Sequence, residues 1–423
     1  MADHITSTLI DRSAPYVSDF EYQGSGTASA TKPWAKWLEA TLGFRNHWYP
    51  VDASRNFKED APRVLTLLGE EILFVRLEGE LRAIENRCPH RGSRFSVRPL
   101  FYTKKTITCW HHTWTFNLDD GSIRSILNNP ESKLCGKRGV KAYPLQEAKG
   151  IVFIFIGDVA PPPLALDVPP GFLDADVAVC VADPYVVRSN WRLGCEGGYD
   201  PGHHFIHNWS PFAIDRGIPF SFGVVSTAKD LKETTDYEVR PAGPRGFTRH
   251  SAKAAMRFEA TIPARGAEPA TTITLPLAVG MTDEAKAAHE VYKIDVGLWM
   301  PCGLIVNPFP GPGCIHNEYY VPIDENSHYY FQCGWRRVSS EQERKDWEGT
   351  LGHFNWRVPV VEGFTRQDAE AREGIAKFYA EENGWQNEII AAYDIELIMW
   401  RIFASDNCRG IQKREHALGH FRR

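Results

Sequence analysis

The chain has 423 residues, 43% of them hydrophobic and 24% charged, with a formal net charge of -5. That length exceeds what one hydrophobic core usually serves, so two domains are expected. The near-balanced charge excludes a protein built to grip nucleic acid or an anionic membrane surface. No basic region followed by an apolar stretch opens the chain and no run is long enough to span a bilayer, so a cytoplasmic protein with no membrane partner is expected. The nine cysteines form no dense disulfide framework. Cys88 and Cys109 sit in ligand patterns; the other seven read as buried or inert thiols.

The chain opens with a Gly/Ser/Ala/Thr-rich stretch around Gly24 to Thr31 and a helical piece near Trp34 to Leu42. Residues 1–45 thus read as an arm. From Trp48 to Gly157 short strand patterns dominate, such as Glu71 to Arg76 and Leu81 to Ile84 around a Glu78-Gly79-Glu80 turn. Among them lies Cys88-Pro89-His90 and, after eighteen residues, Cys109-Trp110-His111-His112. Two thiolates and two imidazoles in a Cys-x-His and a Cys-x2-His pattern are the ligand set of a Rieske 2Fe-2S cluster. Cys88, His90, Cys109 and His112 are the ligands this selects, with His111 left as a neighbour over the cluster. Imidazoles on one iron lower the cluster's negative charge and raise its potential, so an ordinary ferredoxin can reduce it. The rival reading is a structural zinc site, although zinc-site halves usually pair like with like.

The strand pattern Ile151 to Ile156 closes this region, and the stiff segment from Pro161 to Pro170 marks a boundary, dividing 46–160 from 161–423. Beyond it comes Asp200-x2-His203-x3-His207. On a helix His203 and His207 share one face and can bind one metal ion; His204 is the nearest competitor, being also a helical neighbour of His207. Asp200, one turn earlier, is better placed to orient an imidazole than to ligate. A site that activates dioxygen needs two histidines and a carboxylate with open positions beside them. Asp368 is the candidate carboxylate, but Thr365 to Asp368 equally fits a helix capping box. Strand-like runs from Tyr292 to Met300 and Glu318 to Phe331, then helical patterns from about Ser340, predict an α+β domain with an antiparallel sheet.

From about Leu42 to Asn407 the chain resembles the terminal oxygenase components of Rieske non-heme iron ring-hydroxylating oxygenases, most nearly the carbazole 1,9a-dioxygenase type, with 2-oxoquinoline 8-monooxygenase another relative. The resemblance rests on Leu42 to Pro50, Cys88 to Gly92, Thr106 to Trp110, Asn190 to Leu193, Val306 to Pro310 and Val321 to Asn326. Respiratory Rieske proteins carry two further cysteines, where this chain has Ser93 and His111.

The resemblance implies an all-β Rieske domain joined to a helix-covered antiparallel β-sheet catalytic domain of helix-grip, START-like form, on which the N-terminal arm packs. It further implies a head-to-tail homotrimer with one 2Fe-2S cluster and one Fe2+ per chain. Electrons would come from NADH or NADPH through a ferredoxin or ferredoxin reductase. It makes Asp368 the carboxylate ligand and Asp200 the bridge between His203 and a cluster histidine, His112, of a neighbour. Gly198, Phe309, His316 and Phe364 fall in the substrate pocket. Two positions depart from the family: Gly197 where Asn is common, and His111 where Tyr is usual. A histidine at 316 either binds a polar or acidic substituent or faces a core partner.

The expected activity is O2-dependent hydroxylation or dihydroxylation of an aromatic ring, N-heterocyclic or fused. The same iron chemistry serves a monooxygenase or demethylase acting on an alkyl or N-/O-methyl carbon. A Rieske electron carrier would need no second iron, which the histidine pair argues against.

Overall fold

A computed structural model describes residues 32–137, 139–200, 202–226, 235–240, 243–250, 254–290, 294–391 and 394–417. The small-residue stretch Gly24 to Thr31 lies outside them. The predicted helical piece forms over Ala35–Glu39. It lodges Trp37, fully buried, edge-on against Trp191 and Trp400, while Arg192 Nη1 donates to the Trp37 carbonyl at 3.0 Å.

Three small antiparallel sheets follow. His47–Ala53 pairs with Ile151–Ile156, which pairs in turn with Leu145–Ala148. Ile151–Ile156 is buried at every position, as a continuous apolar run requires. The second sheet joins Arg63–Leu67, Glu70–Leu77 and Glu80–Glu85; its hairpin turns at Glu78 and Gly79, both with positive φ. The third joins Thr106–Thr108, Trp114–Asn117 and Ile123–Ile126. Leu73, Ile84, Phe95, Ile107 and Phe116 form a core of their own, which takes in Cys88 and Cys109.

Downstream, one antiparallel sheet runs in the order Thr235–Arg240, Gly243–His250, Asp295–Trp299, Gly303–Asn307, Ile315–Asp324, Ser327–Arg337 and Val177–Val181, with Tyr185–Val187 also on Ser327–Arg337. Period-2 alternation turns one side of the strands Asp295–Trp299, Gly303–Asn307 and Ile315–Asp324 toward a helix. The helix Trp191–Tyr199 crosses this face, its N-cap Asn190 accepting from the Arg192 amide. The helix Thr365–Glu381 lies beside it, preceded by a π-helical stretch, His353–Glu362, with Pro359 inside. An all-β first half and a sheet-and-helix second half agree with the expected fold class. Among the described residues, no helix is long and apolar enough to cross a membrane.

Candidate active site and cluster site

Two loops at one end of the small sheets hold the first constellation. One follows Glu80–Glu85 and is tied by the Cys88 amide to the Ser93 carbonyl, 2.8 Å, and by the Gly92 amide to the Cys88 carbonyl, 2.9 Å. Gly92 has φ +77°, which a side chain disfavours. The other lies between Thr106–Thr108 and Trp114–Asn117, closed by Cys109 N to Trp114 O and Thr113 N to Cys109 O. These turns bring cysteine to cysteine and histidine to histidine. The hydrogen bond between the two thiols, the largest influence on each, drives the Cys88 thiol up and pulls Cys109 down to about 6, so one keeps its proton as the other gives it up. The rings of His90 and His112 stand 4.6 Å apart, edge to face, with His90 stacked on Trp114 at 4.8 Å. His90 Nδ1 is buried without a hydrogen-bond partner. A thiol pair and an imidazole pair with an orphaned donor atom fit a cluster whose two irons take different ligands.

His111 is exposed, its ring 3.7 Å from that of His112 and its Nδ1 bonded to Ser93 Oγ at 2.8 Å. One of its nitrogens is thus engaged by Ser93, while its ring lies against that of His112.

The second constellation begins at the end of Trp191–Tyr199. Asp200 caps that helix and turns the chain into His203–Trp209, a 3₁₀ segment rather than the α-helix expected from the spacing. Asn208 stitches it down, donating to the carbonyls of Phe205 and Phe220 and accepting from the Phe220 amide. His203 and His207 still share one side, ring centroids 5.2 Å apart. His203 Nδ1 bonds the main-chain carbonyl of Asp200 at 2.5 Å, while the carboxylate accepts from the Gly202 amide at 2.6 Å. The expectation that the Asp200 side chain orients His203 within the chain is therefore corrected: its backbone oxygen does so, and the carboxylate is engaged by the Gly202 amide.

Asp368, in the first turn of Thr365–Glu381, meets both histidines. Its Oδ1 is 3.7 Å from His203 Nε2 and 3.7 Å from His207 Nε2. The capping-box alternative fails, since the N-cap is Phe364 and the Thr365 hydroxyl bonds Gln332 Oε1 at 3.0 Å. His203, His207 and Asp368 are, among the described residues, the group of three or more possible ligands that converges, all donor atoms within 4.8 Å of one another. Donors each about 2.0–2.2 Å from a first-row metal can lie no more than about 4.4 Å apart, so the two carboxylate–imidazole separations of 3.7 Å suit one ion. Both nitrogens of His207 are buried and unpaired. Burial, with the charges of His203, His204 and Arg372, holds His207 well below its ordinary range, keeping it a neutral donor. Burial pushes the Asp368 carboxyl up to about 6 against the pull of Arg372 and His203. An unpaired imidazole and a strained buried carboxyl are what a divalent cation would satisfy.

The cavity beside this triad is lined by Gly198, Val296, Leu304, Val306, Phe309 and Phe364, together with the three donors, His204, His316 and Glu318. Phe364 stacks on His207 at 3.7 Å and packs against Phe309 at 4.9 Å. The residues expected in the pocket by resemblance are all brought together here. His316 is not free to bind an acidic group, however. Its Nδ1 accepts the Trp356 indole N–H at 3.0 Å, which forces the proton onto Nε2, bonded to Glu318 Oε1 at 2.9 Å. Both nitrogens of His316 are thus engaged.

Sequence reasoning missed Glu318, Tyr320, Trp356 and Arg372. The first two were signalled by His316-x-Glu318-x-Tyr320, three polar side chains on one face of a buried strand. Burial opposes ionisation of Glu318, but the His316 hydrogen bond, Arg372 and the Tyr320 hydroxyl outweigh it and hold its carboxyl below the usual range. Gly198 needs to be glycine: a Cβ there would lie 2.3 Å from Tyr320 Oη and 2.9 Å from Leu304 Cδ1. Gly198→Ala is expected to cost about 1–3 kcal/mol, read as a lower denaturation midpoint, and to raise KM for any substrate.

Comparison with known proteins agrees. Residues 47–144 match the Rieske [2Fe-2S] domain family and residues 155–412 the family described as homotrimeric ring hydroxylase. The chain is 40% identical to the terminal oxygenase component of carbazole 1,9a-dioxygenase from Metapseudomonas resinovorans, over 92% of this chain and 97% of that one. It is 39% identical to the component from a Sphingomonas species, over 90% and 97%. The solved terminal oxygenase from Nocardioides aromaticivorans IC177 superposes with a TM-score of 0.80 at 37% identity, covering 91% of this chain and all of that one. The oxygenase in a reduced complex with ferredoxin in carbazole 1,9a-dioxygenase superposes equally well, at 39% identity over 92% and 96%. With a Rieske cluster site in one half and a converging His/His/Asp triad beside an aromatic cavity in the other, the chain belongs to the Rieske-type homotrimeric ring-hydroxylating oxygenases and is an oxidoreductase that incorporates O2.

Proposed function

We propose that this oxygenase hydroxylates a flat, fused or N-heterocyclic aromatic, inserting both atoms of O2, with Fe2+ held by His203, His207 and Asp368 and the cluster held by Cys88, His90, Cys109 and His112. The observation that carries the reading is the metal triad opening directly onto a cavity walled by Phe309, Phe364 and aliphatic side chains. When bound, the two metal centres supply single electrons and the activation of dioxygen. The protein's own residues do the rest. Phe309 and Phe364, packed on each other, form one apolar wall against which a planar ring lies and which excludes water, the Gly198 carbonyl accepts a ring N–H in this reading, and Asp200 holds His203 in register through its carbonyl. Relatives solved in carbazole-bound and fluorene-bound forms support a tricyclic substrate.

Residues 46–160 form the Rieske domain in this reading, 161–423 the catalytic domain, and residues up to 45 an arm on the latter. Electrons arrive from NADH or NADPH through a ferredoxin and its reductase, since ferredoxin complexes of the relatives are known. Transfer runs between protomers of a trimer, from the cluster of one to the triad of the next, with Asp200 facing the partner subunit's His112. Sedimentation is expected to give three times the 47.8 kDa of one chain; a monomer would remove this route. The activity is tested with NADH, a ferredoxin and reductase pair, 18O2 and carbazole: a product carrying two labelled oxygen atoms supports the proposal, and a product carrying one contradicts double insertion.

A further inference from the structure

The wall of the cavity opposite the aromatic pair is a sheet face whose rows can be read from register. Val296 pairs with Val306 and Val306 with His316; Leu304 pairs with Glu318. Of these only His316 and Glu318 are polar, and His316 is committed at both nitrogens. Glu318 is different. Oε1 accepts from His316, and Oε2 accepts from the Tyr320 hydroxyl with Arg372 Nη2 3.8 Å away. A carboxylate offers about four acceptor positions, so these two short bonds anchor it and leave it able to accept another. The groups that bond or pair with it are donors or a cation: the Nε2–H tautomer of His316, the Tyr320 hydroxyl and a guanidinium held between the Tyr320 and Tyr330 rings at 4.9 and 4.8 Å, with the Asp368 carboxylate also beside that guanidinium. Arg372 itself does not line the cavity, and no lysine or arginine among the described residues does.

We propose that Glu318 is a second polar anchor of the cavity, beside the Gly198 carbonyl, accepting a hydrogen bond from an N–H or O–H carried by an aromatic substrate and setting a fixed negative charge against aromatic carboxylates. This rests on the aromatic-oxygenase reading above. A donor on the ligand gains a charge-assisted bond there, whereas a carboxylate beside Glu318 is repelled by it and is answered only by the iron. Trp356, from the π-helical stretch, acts through His316: its N–H forbids the tautomer that would turn a lone pair toward Glu318.

The test is equilibrium dialysis of the iron-loaded holoenzyme against naphthalene, naphthol and naphthoate, in wild type and Glu318→Gln, with the cluster spectrum reporting that each protein is folded. Comparing wild type with Glu318→Gln at equal iron loading removes the metal's own attraction for naphthoate from the comparison. The naphthol-to-naphthoate affinity ratio is expected to fall about tenfold or more in the variant. An unchanged ratio in a folded Glu318→Gln would overturn the anchor, placing selectivity elsewhere. Failure of all three probes to bind would instead overturn the aromatic-pocket reading on which it rests.

Discussion

Asp200→Asn is expected to leave both metal centres loaded and yet slow product formation by about 10–100-fold. The substitution is informative because of what it spares. The bond holding His203 comes from the Asp200 carbonyl, and the bond to the Gly202 amide needs only a side-chain oxygen. Asparagine supplies both, so the loss is confined to the negative charge that the carboxylate offers a neighbouring protomer. Rapid mixing of the reduced protein with O2 and substrate separates the possibilities. Slow cluster oxidation with normal iron content places the defect in transfer between protomers; wild-type kinetics would show that the carboxylate has no part in it.

Arg372→Met is expected to destabilise the metal-free protein by about 3–5 kcal/mol, measured by denaturant unfolding. Arg372 is 2% exposed, and its Nη2 lies 3.8 Å from Asp368 Oδ1 and 3.8 Å from Glu318 Oε2. None of its nitrogens makes a hydrogen bond, so its contribution is charge placed between two buried acids and two tyrosine faces. Removing it leaves Asp368 and Glu318 without a counter-charge. Ferrous iron takes over one of the two carboxylates, so the deficit is expected to shrink on metal loading, and Arg372→Lys should recover part of it. A deficit below about 1 kcal/mol would mean that the guanidinium is only filling space. Gly197 belongs to the same account, since a Cβ there would come within 3.3 Å of Arg372 Nε.

Much of this was legible in the sequence because the relevant signals are local. Cys-x-His and Cys-x2-His sit on two tight loops whose closure needs no distant partner, and the buried strand Ile151–Ile156 announces itself by an unbroken apolar run. His203 and His207 were found by spacing, although the segment is 3₁₀ rather than α; a 3₁₀ turn stacks i over i+3 rather than i+4, so it is the direction of the side chains, with ring centroids 5.2 Å apart, that brings the pair together. Asp368 was not derivable from spacing, because the contact that defines it spans some 160 residues of chain and is made by sheet and helix packing. The same holds for Trp356, which reaches His316 across forty positions to fix a tautomer. Local patterns reveal donors; only the fold decides which of them converge.

The central claim is that one chain carries a two-iron cluster and a separate mononuclear iron. Its most direct test is iron and acid-labile sulfide per chain on anaerobically purified wild type and His207→Ala. The account predicts about three irons and two sulfides in wild type, falling to about two irons in the variant with the cluster spectrum intact. Two irons in both proteins after reconstitution with ferrous iron would contradict it and leave an electron carrier.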